Sequence, residues 1–185
     1  MNLNTNEPPN LKGALILADP TLCDSNFART VIFMTDYRKD RGAHGLILNR
    51  PLEYRVGTIL KSPEFTPLRD VPVYTGGPVG QEHLTFASFS WNHGEVAMRC
   101  ATHLSAEEAV VRLHAGDSVR AFLGYSGWGC GQLEAELQQK SWIPRKIHPE
   151  IMRTEANESL WLELLKSLGP WGTLVAGMPE NPSMN

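Results

Sequence analysis

The segment GYSGWGCGQLEAEL, residues 124–137, joins four glycines, a serine and a cysteine to the start of an apparent helix. Such a segment could be a phosphate-binding loop, a dinucleotide-binding turn or a nucleophile elbow. A phosphate-binding loop needs a lysine where Cys130 follows the last glycine of its candidate motif. A dinucleotide turn needs glycine where Gln132 stands, and an elbow needs glycine where Trp128 stands. The segment therefore matches none of the three patterns.

Three side chains remain as candidates for catalysis: Ser126, Cys130 and His44. A thiol in the first turn of a helix feels the positive end of the helix dipole, which favours the thiolate. Cys130 could equally be a small buried residue, as most unpaired cysteines are. A histidine such as His44, just before an apolar strand, could serve as a base or belong to a turn.

Polar and glycine-rich corners at strand ends supply candidates for ligand binding, because binding residues are often carried by loops on a rigid scaffold. Closely spaced charges in PTLCDSNFARTVIF could form a ligand clamp or a structural pair. The candidate ligand-binding residues are Asp24, Arg29, Asn49, Arg50, Gly76, Gly77, Trp128 and Gln132.

The histidines do not form a recognisable metal motif. His83, His93 and His103 are evenly spaced, but the intervals cross strand and loop boundaries, and no HxH, HxxxH or HExxH pairing occurs. The three cysteines are also far apart. The sequence therefore predicts neither a metal site nor a cofactor.

Composition limits the classes of partner. The 185 residues carry a formal net charge of −3, which argues against the large electropositive surface that binds a nucleic-acid backbone. The polar start lacks a secretory signal, and no apolar run is long enough to span a bilayer. We expect a cytoplasmic protein without membrane or nucleic-acid partners, which binds an unidentified small molecule or protein.

Short apolar or alternating runs predict seven strands: 14–18, 30–36, 44–49, 71–75, 83–89, 95–100 and 118–125. Three helices are expected: one capped by Ser105 and Glu108, one starting near Cys130, and one in NESLWLELLKSLG. Strands in runs with late helices indicate a mixed α+β fold. We expect one domain over residues 11–176, with a loose arm at 1–10 and a loose tail at 177–185.

Four blocks of the chain resemble the signature blocks of the bacterial YqgE/AlgH family, in this order: GALILADPTLCDSNFARTVIFMTD, GAHGLILNRPL, VYTGGPV and FLGYSGWGCGQLEAEL. The resemblance implies a mixed, mostly antiparallel sheet bent into a pseudo-barrel, with about three to four helices packed outside. It implies no established enzymatic activity. Some members are described as transcriptional regulators, but this chain shows no legible helix-turn-helix. It also departs from the family pattern at His44 and at Gln81-Glu82-His83.

The leading hypothesis is a non-enzymatic binding or regulatory module that uses the strand-end loops. One alternative is a hydrolase or transferase in which Ser126 or Cys130 is the nucleophile and a histidine such as His44 is the base. Another is a transcriptional regulator that acts on DNA directly or through a partner. Residues distant in sequence meet only in the fold, so their spacing leaves these alternatives open.

Overall fold

The computed structural model describes residues 10–92, 97–147, 157 and 159–177, which form a mixed α+β structure around a curled, half-barrel sheet. The expected fold class is therefore confirmed. Residues 1–9 of the expected arm and 178–185 of the expected tail lie outside the described residues, so the proposed domain limits stay a prediction.

Within the described residues, the sheet contains nine strands. They are β1 (Leu15–Ala18), β2 (Val31–Arg38), β3 (Gly42–Ile47), β4 (Pro51–Arg55), β5 (Pro72–Thr75), β6 (Val79–Asn92), β7 (Ala97–Leu104), β8 (Ser118–Trp128) and β9 (Trp142–Arg145). Their order is β4-β5-β8-β3-β2-β1-β9, and β6 pairs with both β7 and β8. Only β5 and β8 pair in parallel among the described strands. The long strand β8 pairs with β3, β5 and β6 and thus connects the other strands of the sheet.

The seven strands expected from the sequence are present among the described residues, although residues 95 and 96 of the expected strand 95–100 lie outside them. Two more described strands were missed. The missed strands, β4 and β9, pair within the described chain with β5 and β1 respectively. Each contains a proline, Pro51 or Pro144, and neither shows the alternation that marks a half-buried strand. Proline is tolerated at sheet edges because an edge strand leaves backbone N–H groups without a ladder partner.

The described helices are α1 (Val56–Ile59), a 3-10 helix (Pro63–Leu68), α2 (Ala106–His114), α3 (Gln132–Gln138), α4 (Ser159–Lys166) and α5 (Pro170–Ala176). The three helices expected from the sequence are α2, α3 and α4. In α2, the Glu108 N–H donates to Ser105 Oγ over 3.2 Å, and the Ser105 N–H donates to the Glu108 carboxylate over 2.8 Å. This is the predicted capping box. The three additional helices have four to seven residues and do not begin with the Ser-x-x-Glu pattern that predicted α2.

Both faces of the central strands are covered. Alternate residues of β1 and β2 enter two different clusters, with Leu15 and Phe33 in one and Ile16 and Ile32 in the other. The first cluster is closed by α4 and α5, and the second by α3 and Trp142. Because both faces are buried, these strands read as continuous apolar runs in the sequence.

Candidate functional site

One face of the sheet changes from apolar to polar along four strands, β2 and β3 on one side of β8 and β6 and β7 on the other. The apolar ends carry the residues of the first cluster, against which α4 and α5 pack. Two or more residues further along, the same strands carry polar side chains. The successions are Phe33 to Thr35 on β2, Leu46 to His44 on β3, Ala87 to Thr85 to His83 on β6, and Cys100 to Thr102 on β7. The polar ends line a cavity, which we call the imidazole cavity.

The imidazole cavity has a volume of about 540 Å³ and is lined by three histidines, His44, His83 and His103. Tyr125 of β8 also lines it, and its ring centroid lies 5.4 Å from that of His44 with the planes tilted by 45°. Ligand cavities in proteins span roughly 300–1,000 Å³. The cavity therefore has the size of a small-molecule site.

Two of these imidazoles have a notable local environment, although the His83 side chain is 77% exposed. His103 adopts φ 57°, a left-handed conformation that L-residues rarely take. His83 Nδ1 lies 3.0 Å from the Glu82 carboxylate, and when Nδ1 donates its hydrogen to Glu82, Nε2 remains an acceptor. Sequence reasoning considered His83 and His103 only as metal ligands and missed them as cavity residues. The available signal was the position of each at the polar end of an apolar strand.

Metal coordination does not follow from the shared cavity. Within the described ranges, no three His, Cys, Asp or Glu side chains are grouped closely enough to hold a metal ion. His93 lies outside those ranges. The three cavity histidines thus line the same cavity without forming a metal-binding group in the described residues.

Three of the candidate ligand-binding residues, Arg29, Asn49 and Arg50, line a second cavity of about 650 Å³ together with Thr75 and Trp161. The Asn49 side chain is buried and accepts from the Val31 N–H over 2.8 Å. Its amide nitrogen donates to the Arg29 carbonyl over 2.9 Å. Asn49 thereby ties the loop between β1 and β2 to the sheet.

The Arg50 guanidinium also holds this loop. It donates to the carbonyl oxygens of Asn26 over 2.7 Å and Ala28 over 3.0 Å. The Arg29 guanidinium lies 5.4 Å from the centre of the Trp161 ring, at a distance typical of a cation–π contact. These contacts give both arginines structural roles beside the cavity, and ligand binding by them stays a prediction.

Asp24 lies in the same loop but does not line the second cavity. Its carboxylate accepts from the Asn26 N–H over 2.8 Å, and its carbonyl accepts from the Ala28 N–H over 2.7 Å. The side chain therefore closes a local turn.

Gly76 and Gly77 are required by close backbone packing. A Cβ atom at Gly76 would collide with the Gly124 carbonyl oxygen, and one at Gly77 would collide with the backbone of Tyr125. The Gly76 carbonyl accepts from the Ile47 N–H over 2.9 Å. Both glycines thus allow the turn after β5 to lie against β8.

Ser126 and Cys130 have no catalytic neighbour among their described partners. Ser126 is fully buried, and its hydroxyl donates to the Gly76 carbonyl over 3.2 Å. The exposed Cys130 thiol lies 3.5 Å from the Lys39 carbonyl. No hydrogen bond in the described part of the chain joins either residue to a histidine or carboxylate, and His44 lines the imidazole cavity instead.

Trp128 and Gln132 lie at a different place from Arg29, Asn49 and Arg50, in a cluster of bonds around Glu136. One Glu136 oxygen accepts from the indole nitrogens of Trp128 over 2.8 Å and Trp142 over 2.7 Å. The other accepts from Gln132 Nε2 over 2.9 Å. We call these four side chains the Glu136 cluster; it fastens α3 to β8 and β9.

A second carboxylate of α3, that of Glu134, affects the ionisation of Tyr37. Tyr37 OH donates to Glu134 over 2.7 Å. Burial, together with the hydrogen bond to Glu134 and its negative charge, raises the pKa of Tyr37 to about 12. The hydrogen bond between Tyr37 and Glu134 also connects β2 to α3, the helix of the glycine-rich corner.

The fold and the cavity define a class of mixed α+β protein in which a curled sheet carries a small-molecule-sized cavity at the polar ends of its strands. A crystal structure of a protein from Corynebacterium diphtheriae shares this fold, with a TM-score of 0.70 and 20% identity over 93% of this chain and 94% of the other.

The chain belongs to the DUF179 (AlgH-like) family, whose family model matches residues 15–171. It is 33% identical to UPF0301 proteins of Chlorobium chlorochromatii, over 94% of each chain, and of Streptomyces avermitilis, over 97% of each. The solution structure of AlgH from Pseudomonas aeruginosa is similar with a TM-score of 0.64 and 27% identity, and covers 96% of this chain and 98% of that one. The family predicted from the sequence blocks is confirmed.

A bilayer-spanning helix requires about 20 predominantly apolar residues. In residues 10–92, 97–147, 157 and 159–177, none of the helices reaches the necessary length and apolar character.

Proposed function

We propose that this protein is a non-enzymatic binding or regulatory module that holds a small molecule in the imidazole cavity. One observation carries the proposal: side chains from five strands converge on a cavity of about 540 Å³. A concave site with apolar walls and a few convergent polar groups is the usual form of a ligand site. These groups are carried by strands of one sheet.

Binding is favoured over catalysis by the surroundings of the candidate nucleophiles. Nucleophilic catalysis needs a base within hydrogen-bond reach of the serine or cysteine. Ser126 instead donates to a backbone carbonyl in the interior, and the Cys130 thiol lies beside another. The cavity itself is lined by imidazole, phenol and hydroxyl groups and contains neither residue.

A cavity-filling variant tests the site. A panel of metabolites is screened by thermal shift and native mass spectrometry against the wild-type protein, Thr85→Trp and Gln138→Trp. Thr85 lines the cavity, whereas Gln138 is exposed on α3. We expect a ligand of the wild type to bind Gln138→Trp equally and Thr85→Trp at least about tenfold more weakly, because the indole occupies its space.

Thr102→Phe on the neighbouring strand gives a second blocked variant if Thr85→Trp does not fold. A ligand that binds both folded, blocked variants as tightly as the wild type binds elsewhere and contradicts the proposal. A wild-type protein that binds nothing in a broad panel contradicts it as well.

We also propose that the module works in the bacterial cytoplasm without contacting nucleic acid. Its three cysteines are unpaired, as expected in a reducing compartment, and the net charge of −3 gives no general attraction to phosphate backbones. Cell fractionation and a fluorescence anisotropy titration with duplex DNA at low salt test these two points. Recovery from the periplasm contradicts the first, and salt-sensitive DNA binding contradicts the second.

A further inference from the structure

We infer that the ligand of the imidazole cavity is an uncharged, planar heteroaromatic molecule, such as a nucleoside or a flavin-type ring. This inference rests on the proposed function and names its ligand class. The rings that line the cavity, the hydrogen-bonding groups between them and the absence of fixed charge each contribute to it.

Four ring-bearing side chains line the cavity. His44 and Tyr125 form a tilted ring pair, and His83 and His103 add two more imidazoles from neighbouring strands. Aromatic rings attract other aromatic rings in stacked or edge-to-face arrangements, beyond the effect of the buried area. Stacking of a base on an aromatic side chain contributes about 1–3 kcal/mol. A planar ligand can use several of these surfaces together.

The polar groups between the rings suit the edges of a heteroaromatic ring. Hydroxyl groups of Thr85 and Thr102 both donate and accept hydrogen bonds, and each neutral imidazole carries one donor and one acceptor. The Thr35 hydroxyl already donates to the His44 carbonyl over 3.1 Å, which leaves its oxygen free to accept. Mixed donors and acceptors match the alternating ring nitrogens and carbonyls of such a molecule.

The charge of the lining residues argues against other classes of ligand. Among the described residues that line the cavity, none has a carboxylate, ammonium or guanidinium group. A ligand with a permanent charge would meet no counter-charge among the lining side chains, since the Glu82 carboxylate, 3.0 Å from His83 Nδ1, lies outside the lining. The guanidinium groups of Arg29 and Arg50 lie at the other cavity.

Isothermal titration calorimetry tests the class with adenosine, uridine and riboflavin as planar probes, and glucose and decanoate as comparators. The variants are Tyr125→Ala, which removes a ring, and Tyr125→Phe, which keeps it. Tyr54→Ala is the matched control because Tyr54 is exposed on β4 and does not line the cavity. We expect at least one planar probe to bind the wild type and to lose about tenfold or more in affinity in Tyr125→Ala. Tyr125→Phe and Tyr54→Ala should stay within about threefold.

Each other outcome overturns the inference in a recognisable way. If only glucose or decanoate binds, and Thr85→Trp blocks it, the cavity is a site and the ligand class is wrong. If a planar probe binds but neither Tyr125→Ala nor Thr85→Trp weakens it, the probe occupies another place. If no probe binds while the broader panel yields a ligand that Thr85→Trp blocks, the inference fails and the proposed function stands.

Discussion

His103 and Lys140 share a left-handed backbone conformation, which is unfavourable for residues that carry a side chain. Their φ angles are 57° and 61°, in the left-handed region. This conformation costs an L-residue about 1–2 kcal/mol. Lys140 follows α3, where a left-handed residue commonly ends a helix. His103 lines the imidazole cavity, so its strain is explained if the imidazole serves the site.

Replacing both residues by glycine separates strain from function. Glycine adopts this conformation freely but gives up backbone entropy, so we expect His103→Gly and Lys140→Gly each to raise the free energy of unfolding by about 0.5 kcal/mol. Only His103→Gly should weaken ligand binding. Urea unfolding and calorimetry measure the two effects. Equal ligand affinity in both variants would assign His103 a structural role alone.

Arg120 is an unusual residue in the interior of the sheet. It is only 8% exposed, and its guanidinium lies 5.2 Å from the Tyr74 ring and 5.6 Å from the Phe89 ring. No carboxylate in the described part of the chain forms an ion pair with it. Burial lowers the pKa of Arg120 because it disfavours the charged form. The two ring contacts offset part of the desolvation.

We therefore expect Arg120→Met to leave the free energy of unfolding unchanged or to raise it by about 1–2 kcal/mol, since an apolar side chain of similar length avoids the desolvation. Arg41→Met, at an exposed arginine, should change it by less than about 0.5 kcal/mol. Chemical denaturation measures both. A loss above about 2 kcal/mol in Arg120→Met would show that the guanidinium contacts are net stabilising.

The three thiols differ in environment, which predicts their reactivity. Burial raises the pKa of Cys100 to about 12, so its thiol stays protonated at pH 8. Alkylation requires the thiolate, and Cys23 and Cys130 are exposed. Brief treatment with iodoacetamide at pH 8 should label Cys23 and Cys130 and spare Cys100, and urea should expose all three. Mass spectrometry of peptides reads the labels; rapid native labelling of Cys100 would contradict the burial.

At the scale of elements, the Glu136 cluster joins β8 and α3 of the glycine-rich corner to β9. A glutamine at this position has only one acceptor oxygen, and its NH₂ group faces donors on the other side. We expect Glu136→Gln to lower the free energy of unfolding by about 0.5–1.5 kcal/mol, because the bonds to the two indoles lose their charge assistance and Gln132 Nε2 loses its acceptor. Urea unfolding followed by tryptophan fluorescence measures the loss.

Gln138→Ala is the control on the same helix, since Gln138 is exposed; it should change stability by less than about 0.5 kcal/mol. An equal effect of the two substitutions would mean that the Glu136 bonds do not stabilise the corner. In either case GYSGWGCGQLEAEL is understood through its contacts: the serine and the tryptophan bind groups of the protein itself.

At the scale of the whole molecule, local signals and long-range contacts explain what the sequence predicted. The capping box of α2 is a signal within four residues, and the interior strands are apolar runs, so both were predicted. The edge strands β4 and β9 depend on pairing with β5 and β1. The imidazole cavity depends on residues from β2, β3, β6, β7 and β8, and no spacing along the chain reports such a meeting.

The two cores on opposite faces of the sheet share the central strands, which bears on the expectation that residues 11–176 form one domain. Because β1 and β2 contribute to both cores, the loss of either should unfold the other in a single cooperative transition. Leu165 of α4 is fully buried in the first core, whereas Leu174 of α5 is 66% exposed. We expect Leu165→Ala to lower the free energy of unfolding by about 2–5 kcal/mol and Leu174→Ala by less than about 0.5 kcal/mol.

Two probes test this cooperativity in the same samples. Trp128 and Trp142 lie in the second core and Trp161 in the first, so tryptophan fluorescence follows both faces, and far-ultraviolet circular dichroism follows the sheet and helices. In Leu165→Ala the two signals should still change at one urea concentration, shifted to a lower value, with an unchanged slope. Separate transitions would show that α4 and α5 detach from a sheet that remains folded, and would divide the proposed domain into two cooperative units.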